Sequence, residues 1–420
     1  MAHSLQSSVR PTEGPVSARS LDAWLLHRLA ARIKTSRLAY ATDAAFVPAA
    51  ERPPLATLRL HGRQTFLGLL ANPELFFGDA FAEGRIDIEG DLVGALEAAY
   101  RSLEDEPVHL RDRLQARKKQ TPSRARRNIH SHYDLSNDFY GLWLDRELVY
   151  SCAYFDRPDA SLEEAQIAKM DHICRKLGLR SGETVIDIGS GWGSLALHMA
   201  RRWGVRAIGC NVSHEQVRYA RERARREGLA DRVEFLEEDY RRIDRRCDAL
   251  VSVGMLEHVG RQSMVDFGHM MARCVRRDGG RGLLHFIGRD RPRPINAWIA
   301  RNVFPGGYIP TLDEVTRDAL ATAHCSVVDV ENLRFHYART LHHWRLRYER
   351  AVAQGRVGFD ERFRRLWRLY LAGSEAAFRA GSLQLFQVTF APSDAAHLPW
   401  TRERLYDGSP GLEWGGEGAE

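Results

Sequence analysis

Residues 184–193 read Thr-Val-Ile-Asp-Ile-Gly-Ser-Gly-Trp-Gly. Apolar β-formers run into Asp187 and Ile188, and three glycines follow at alternate positions. This reads as a buried parallel strand, a tight turn, and a helix starting near Ser194. Without a Cβ, the glycines let the backbone turn sharply and let a ligand lie against the main chain. The helix start offers free N–H groups to an anionic group. The spacing is G-x-G-x-G and not the G-x-G-x-x-G of dinucleotide sites. With Asp187 ahead of it, the turn points to S-adenosylmethionine (SAM), which has a carboxylate but no pyrophosphate. A plain glycine-rich strand-to-helix turn shares these letters. The strand–turn–helix context is what argues for a ligand.

Working outward, Leu162 to Leu177 is predicted helical, with Ser161 and Glu164 at capping-box spacing and Gly178 as its stop. Strands follow at Val205–Cys210, Val233–Leu236, Ala249–Val253 and Gly282–Phe286, alternating with helices. The pattern predicts an α/β fold, a Rossmann-like, doubly wound parallel sheet with helices on both faces. An apolar insert, Phe304-Pro-Gly-Gly-Tyr-Ile-Pro310, comes next. Helices are expected at Leu341–Val352 and Phe363–Ala380, and strands at Cys325–Leu333 and Leu383–Phe390. Ahead of the sheet, a helix from Ser20 to about Ala31, a strand at Ala56–Leu60, a helix at Phe66–Leu75, a strand at Gly84–Gly90 and a helix at Asp91–Leu103 suggest a small α+β domain. The expected organisation is a disordered tail (1–19), the α+β domain (20–105), a basic linker (106–127), a catalytic domain (128–395) and a polar tail (396–420).

The chain has 420 residues, 44% hydrophobic, with room for two or three domains. Its net charge is +6 and its pI about 9.0. The basic excess is concentrated: residues 111–127 hold eight Lys and Arg against one acid, Asp112. Such a segment suits anionic lipid headgroups, and the lack of interleaved aromatics argues against nucleic acid. Six scattered cysteines without C-x-x-C suggest a reducing, cytoplasmic setting. No run approaches the ~18 apolar residues of a membrane span, so membrane contact is expected to be peripheral.

Ligands of open α/β sheets sit beyond the carboxyl ends of the strands. Asp187 and the turn Gly189-Ser190-Gly191 follow one strand, Asn211 the next, and Asp239-Tyr240 a third; together they would cradle SAM. Asn211 departs from the Asp or Glu that commonly holds the ribose there. Glu257 and His285 follow the next two strands. A carboxylate and an imidazole at one rim can act as an acid/base pair. They lack metal-ligand spacing, so no metal is expected. Taken alone, His285 also reads as a core histidine bonded to the backbone.

Several motifs occur in the order and spacing of the cyclopropane-fatty-acyl-phospholipid synthases, which the chain resembles over residues 55–405. They are Asn128 to Tyr140, Tyr150-Ser-Cys-Ala-Tyr-Phe155, Val185 to Gly193, Ser252-Val-Gly-Met-Leu-Glu-His-Val-Gly260, Phe304 to Pro310 and Phe335-His-Tyr337. The resemblance implies transfer of the SAM methyl carbon to a cis double bond in a phospholipid acyl chain. It implies a carbocation, loss of a proton from the new methyl, and ring closure. It also implies a bound bicarbonate as the base, held by Cys152, Glu257, His285 and Tyr337 with backbone help near Ile287. SAM contacts carry over to Tyr150, Ser151, Gly189, Gly191, Asn211, Gln216 and Tyr240. A homodimer and a peripheral place on the inner face of the cell membrane are further implications. Methylation or methylenation of acyl chains, small-molecule methylation, and a non-catalytic lipid-binding scaffold are the alternatives.

Overall fold

The computed structural model describes residues 21–103, 136–396 and 398–406. The expected N-terminal tail, the basic linker, the motif residues 128–135 and residues 407–420 of the polar tail lie outside the described residues.

The N-terminal part runs α1 (Leu21–Ile33), β1 (Leu38–Ala41), β2 (Phe46–Val47), β3 (Ala56–Leu60), α2 (Arg63–Ala71), α3 (Pro73–Ala82), β4 (Ile86–Gly90) and α4 (Leu92–Leu103). Its sheet order is β2-β1-β3-β4. Sequence periodicity missed β1 because all four of its residues are buried, leaving no alternation to read. The single helix expected at Phe66–Leu75 is two helices. Asn72 breaks the first and caps the second, its side chain accepting from Leu75 N at 3.2 Å. Pro73 then sits at the first helical position, where its missing N–H costs nothing. Leu26, Tyr40, Leu58, Leu60 and Ile86 form the local core.

The large sheet is built from β5 (Thr184–Ile188), β6 (Arg206–Asn211), β7 (Val233–Glu237), β8 (Ala249–Val253), β9 (Arg281–Gly288), β10 (Cys325–Asn332) and β11 (Gln384–Pro392). Its order is β10-β11-β9-β8-β5-β6-β7. Strands β5 to β9 are mutually parallel, and β11 runs antiparallel to both neighbours. One reversed strand therefore interrupts the parallel sheet expected from sequence. The chain leaves β5 towards β6 and β7, then returns to β8 on the other side. The glycine turn thus lies at the topological switch point, where such sheets bind ligands.

Helices α5 (Leu162–Leu177), α6 (Ser194–Trp203), α7 (His214–Arg226) and α8 (Met264–Cys274) accompany these strands. The Ser161–Glu164 capping box forms, and Gly178 ends α5 at φ 53°. Two long helices, α9 (Arg334–Ala353) and α10 (Glu361–Ala380), connect β10 to β11. Helix α9 starts about two turns before the predicted Leu341, so Phe335-His336-Tyr337 belongs to its first turn. The mixed Arg, His and aromatic composition there hides the apolar period.

Phe81 of α3 and Leu92, Val93 and Leu96 of α4 join the same apolar cluster as Trp143, Trp344, Trp367 and Leu371. The α+β part therefore has its own core on one side and shares a core with α10 on the other. Arg365 fastens this junction, donating to Phe81 O at 2.6 Å, Ile86 O at 2.9 Å and Asp87 Oδ1 at 2.7 Å. Among the described residues, no helix is long and apolar enough to cross a membrane.

Candidate active site

A solvent-open cleft lies beyond the carboxyl ends of β5 to β8. Every cofactor residue expected from sequence lines it: Tyr150, Ser151, Asp187, Gly189, Ser190, Gly191, Asn211, Gln216, Asp239 and Tyr240. Gly189, Gly191 and Gly193 all have positive φ, at 86°, 55° and 89°. Their surroundings differ. A Cβ on Gly193 would meet Phe235 Cζ at 2.6 Å, and one on Gly189 would meet Met255 Cγ at 2.8 Å. One on Gly191 would meet nothing, so this glycine faces the open cleft.

Asp187 is buried, and no described side chain hydrogen-bonds its carboxylate. Burial pushes its pKa up to about 7, with the Lys169 charge pulling the other way. A carboxylate so placed calls for a cationic partner. Asn211 turns out to be engaged. Its amide donates to Gln216 Oε1 at 2.7 Å and Gly191 O at 3.3 Å, and its oxygen accepts from Ser213 N at 3.2 Å. It organises the rim of the cleft, joining Gln216 to the glycine turn. Asp239 is paired with Arg241 at 2.9 Å.

Residues 149–151 line the cleft as a strap held from α5. Gln166 Nε2 donates to Ser151 O at 2.9 Å and Val149 O at 3.3 Å, and Lys169 Nζ donates to Ser151 Oγ at 3.0 Å. Sequence reading missed both residues, since a buried lysine looks like a surface position on an amphipathic helix. Burial lowers Lys169 to about 8. Asp145 shapes the turn before the strap, accepting from Glu147 N and Val149 N, both at 2.9 Å. Leu148 in that turn takes φ 55° and lines the cleft.

The second expected set, Cys152, Glu257, His285 and Tyr337, does not line the cleft wall and lies deeper. Val253 pairs with His285 in the β8–β9 ladder, and Gly254 N donates to His285 O at 2.8 Å. Glu257 begins the next turn, and its Oε1 accepts from Ile287 N at 2.7 Å, so the main-chain N–H expected to help hold an anion near Ile287 is bonded to Glu257 instead. Cys152 and Tyr337 are tied by the neighbouring bond from Ala153 N to Thr340 Oγ1, 3.0 Å, one turn along α9 from Tyr337. Both Cys152 and His285 sit in the fields of Lys169 and Glu331. Gln387, a polar residue in the apolar run of β11, donates to His285 Nδ1 at 3.0 Å and so leaves the proton on Nε2. Sequence reading missed it too.

Two buried atoms in this set have no partner: Glu257 Oε2 and His285 Nε2. Burial pushes Glu257 up to about 7 and His285 well below its ordinary value. An acceptor and a donor are thus left buried without hydrogen-bond partners. That pairing fits a small anion carrying its own O–H. Aromatic rings wall the region. Tyr337 packs on Phe378 (centroids 4.6 Å) and Trp344 (6.0 Å), and Trp344 packs on Tyr150 (5.3 Å). Tyr150 and Tyr370 hydroxyls share a 2.7 Å hydrogen bond. His258, lowered to about 4 by burial, lines the cleft and packs edge-on to Phe304 at 5.9 Å.

Comparison with known proteins agrees with this geometry. Residues 120–388 match the mycolic acid cyclopropane synthetase family. A probable fatty acid methyltransferase of Pseudomonas putida is 40% identical over 81% of this chain and 89% of its own. The cyclopropane-fatty-acyl-phospholipid synthase of Escherichia coli is 34% identical over 80% of this chain and 88% of its own. The crystal structure of a mycolic acid cyclopropane synthase complexed with SAH and CTAB superposes with a TM-score of 0.60 at 31% identity. It covers 65% of this chain and 99% of that one. A cleft at the switch point, a glycine turn open on its ligand side, and these matches lead to one assignment: the chain belongs to the mycolic acid cyclopropane synthetase family of SAM-dependent methyltransferases.

Proposed function

We propose that this enzyme delivers the methyl carbon of SAM to a cis double bond in a phospholipid acyl chain and closes a cyclopropane ring. The observation that carries the reading is the buried, unpartnered pair Glu257 Oε2 and His285 Nε2 behind the SAM cleft. An amine or hydroxyl acceptor sheds its own proton and needs no base at the new methyl. An alkene acceptor becomes a carbocation, and ring closure requires a proton to leave that methyl.

Bound SAM supplies the electrophilic methyl. Cys152, Glu257, His285 and Tyr337 would hold a bicarbonate, which supplies a base. Asp187 receives the cationic end of SAM, Gly191 allows close approach of its chain, and the Lys169–Ser151 bond fixes the strap. His285 Nε2–H would donate to that anion, and Glu257 Oε2 would accept from it. Trp344, Tyr150 and Tyr337 exclude water and present π faces suited to a developing cation.

A second reading, methyl branching of an unsaturated chain, is favoured by the 40% identity to the probable fatty acid methyltransferase. It shares every step up to the carbocation. For membrane access we propose peripheral docking. Leu21, Trp24, Phe46 and Leu67 of the N-terminal part are exposed, and the basic cluster 111–127 would add attraction to anionic lipid. Co-sedimentation that ignores both salt and vesicle charge would rule out the electrostatic part.

The test of the acyl reading is transfer of methyl-labelled SAM carbon into vesicle phospholipid. Label is expected in cis-unsaturated lipid and absent from fully saturated lipid. Glu257→Gln is expected to cut the rate while SAM still binds. Equal labelling of both lipids would refute the alkene acceptor.

A further inference from the structure

Strand β9 carries His285 and ends at Gly288, and half-buried Arg289 follows at the rim. Its Nη1 donates to the carbonyls of Pro294 at 2.8 Å and Arg293 at 3.3 Å, and its Nε is buried with no partner. No described carboxylate lies within ion-pair distance of it. The nearby acids are engaged: Glu74 accepts from Ala297 N at 3.3 Å and Asp290 from Gln384 Nε2 at 3.2 Å. Burial lowers Arg289 to about 10, so it stays charged at neutral pH, with the Glu74 charge acting on it from beyond ion-pair distance. A guanidinium held at this depth with no ion pair and a buried unpartnered Nε is costly to keep.

Tyr100 of α4 stands across the junction in the field of Arg289. Its hydroxyl has no hydrogen bond among the described residues. It lies 3.8 Å from the Cβ position of Gly373 on α10, which leaves room beside it. Arg291, exposed, has no ion pair among the described residues. A planar guanidinium with free donors beside a phenol matches a phosphate group.

We propose that Arg289, assisted by Tyr100, binds the headgroup phosphate of the phospholipid whose acyl chain is modified. Arg289 comes four positions after His285, about 13 Å of extended chain at roughly 3.3 Å per residue. That spacing sets the headgroup apart from the reacting carbons by a stretch of extended chain. The inference rests on the acyl reading above and adds the substrate's anionic anchor.

Calorimetric titration of the full chain with dioctanoyl phosphatidylglycerol and with dioctanoylglycerol, both unaggregated, tests it. Wild type is expected to bind the phospholipid roughly tenfold or more tightly than the diacylglycerol. Arg289→Gln should bring the two to parity with SAM affinity unchanged, and Arg289→Lys should fall between. A preference absent in wild type, or one that survives in Arg289→Gln, overturns the proposal. If Arg289→Gln does not fold, Arg289→Lys and competition by inorganic phosphate in wild type decide. Phosphate that binds at Arg289 without displacing the phospholipid indicates a free-anion site and also overturns it. Label transfer separates the two readings. With cis-unsaturated dioleoyl phosphatidylglycerol and dioleoylglycerol as acceptors, no transfer to either lipid by wild type is a failure of the acyl reading, whereas equal binding of the two dioctanoyl lipids with equal transfer to the two dioleoyl lipids is a failure of the headgroup site alone.

Discussion

Asp187 and Glu257 are buried carboxylates held near pH 7, above their ordinary values of 3.8 and 4.5. Because the folded state raises both, each favours the fold below its unfolded pKa and loses that contribution as pH rises through about 7. The ligand-free enzyme should therefore lose melting temperature between pH 5 and 8. Asp187→Asn and Glu257→Gln should lose less over the same range. If SAM brings its cationic end to Asp187, binding near pH 7 should release a proton. Calorimetry in buffers of different ionisation heat would read this, and Asp187→Asn should abolish it. Unchanged proton release in that variant would remove Asp187 from the cofactor site. Asp187 was legible in the sequence because a strand and a glycine turn bracket it. Lys169 and Gln387 were not, because their partners, Ser151 and His285, lie 18 and 102 positions away and only the fold brings them together.

At the scale of elements, the glycine turn and α5 jointly form the cofactor wall. Gly193→Ala puts a Cβ against Phe235 at φ 89°, and the strain should cost on the order of 1–3 kcal/mol of unfolding free energy. Gly191→Ala meets open space, so its larger effect should fall on SAM affinity and its smaller one on stability. Denaturant titration and SAM titration of both variants check the contrast. Equal destabilisation without a binding difference would contradict it. Lys169→Met removes the donor to Ser151 and the cation nearest Asp187, and SAM affinity should weaken roughly tenfold or more. The boundaries of β5, β8 and α6 followed directly from apolar runs, a cap and glycines. The start of α9 and the break at Asn72 did not. In one case aromatics and arginines blur the period; in the other a single capping residue outweighs an apolar stretch.

For the molecule as a whole, α10 ties the N-terminal part to the catalytic sheet. Arg365→Ala should cost about 2 kcal/mol, since it leaves Phe81 O and Ile86 O without their charged donor. Hydrogen exchange should rise first in α3 and β4, and a uniform rise across the chain would contradict this division. The α/β architecture was readable from alternating elements. The reversed β11 was not, because strand direction depends on a long helical connection with no local signature. The claim on which the rest depends is ring formation on a cis double bond. Proton NMR of phospholipid recovered after incubation with the purified enzyme, SAM and bicarbonate tests it most directly. The account predicts upfield cyclopropane signals replacing olefinic ones. Olefinic signals left unchanged, or replaced by methyl-branch or methylene signals, would contradict it.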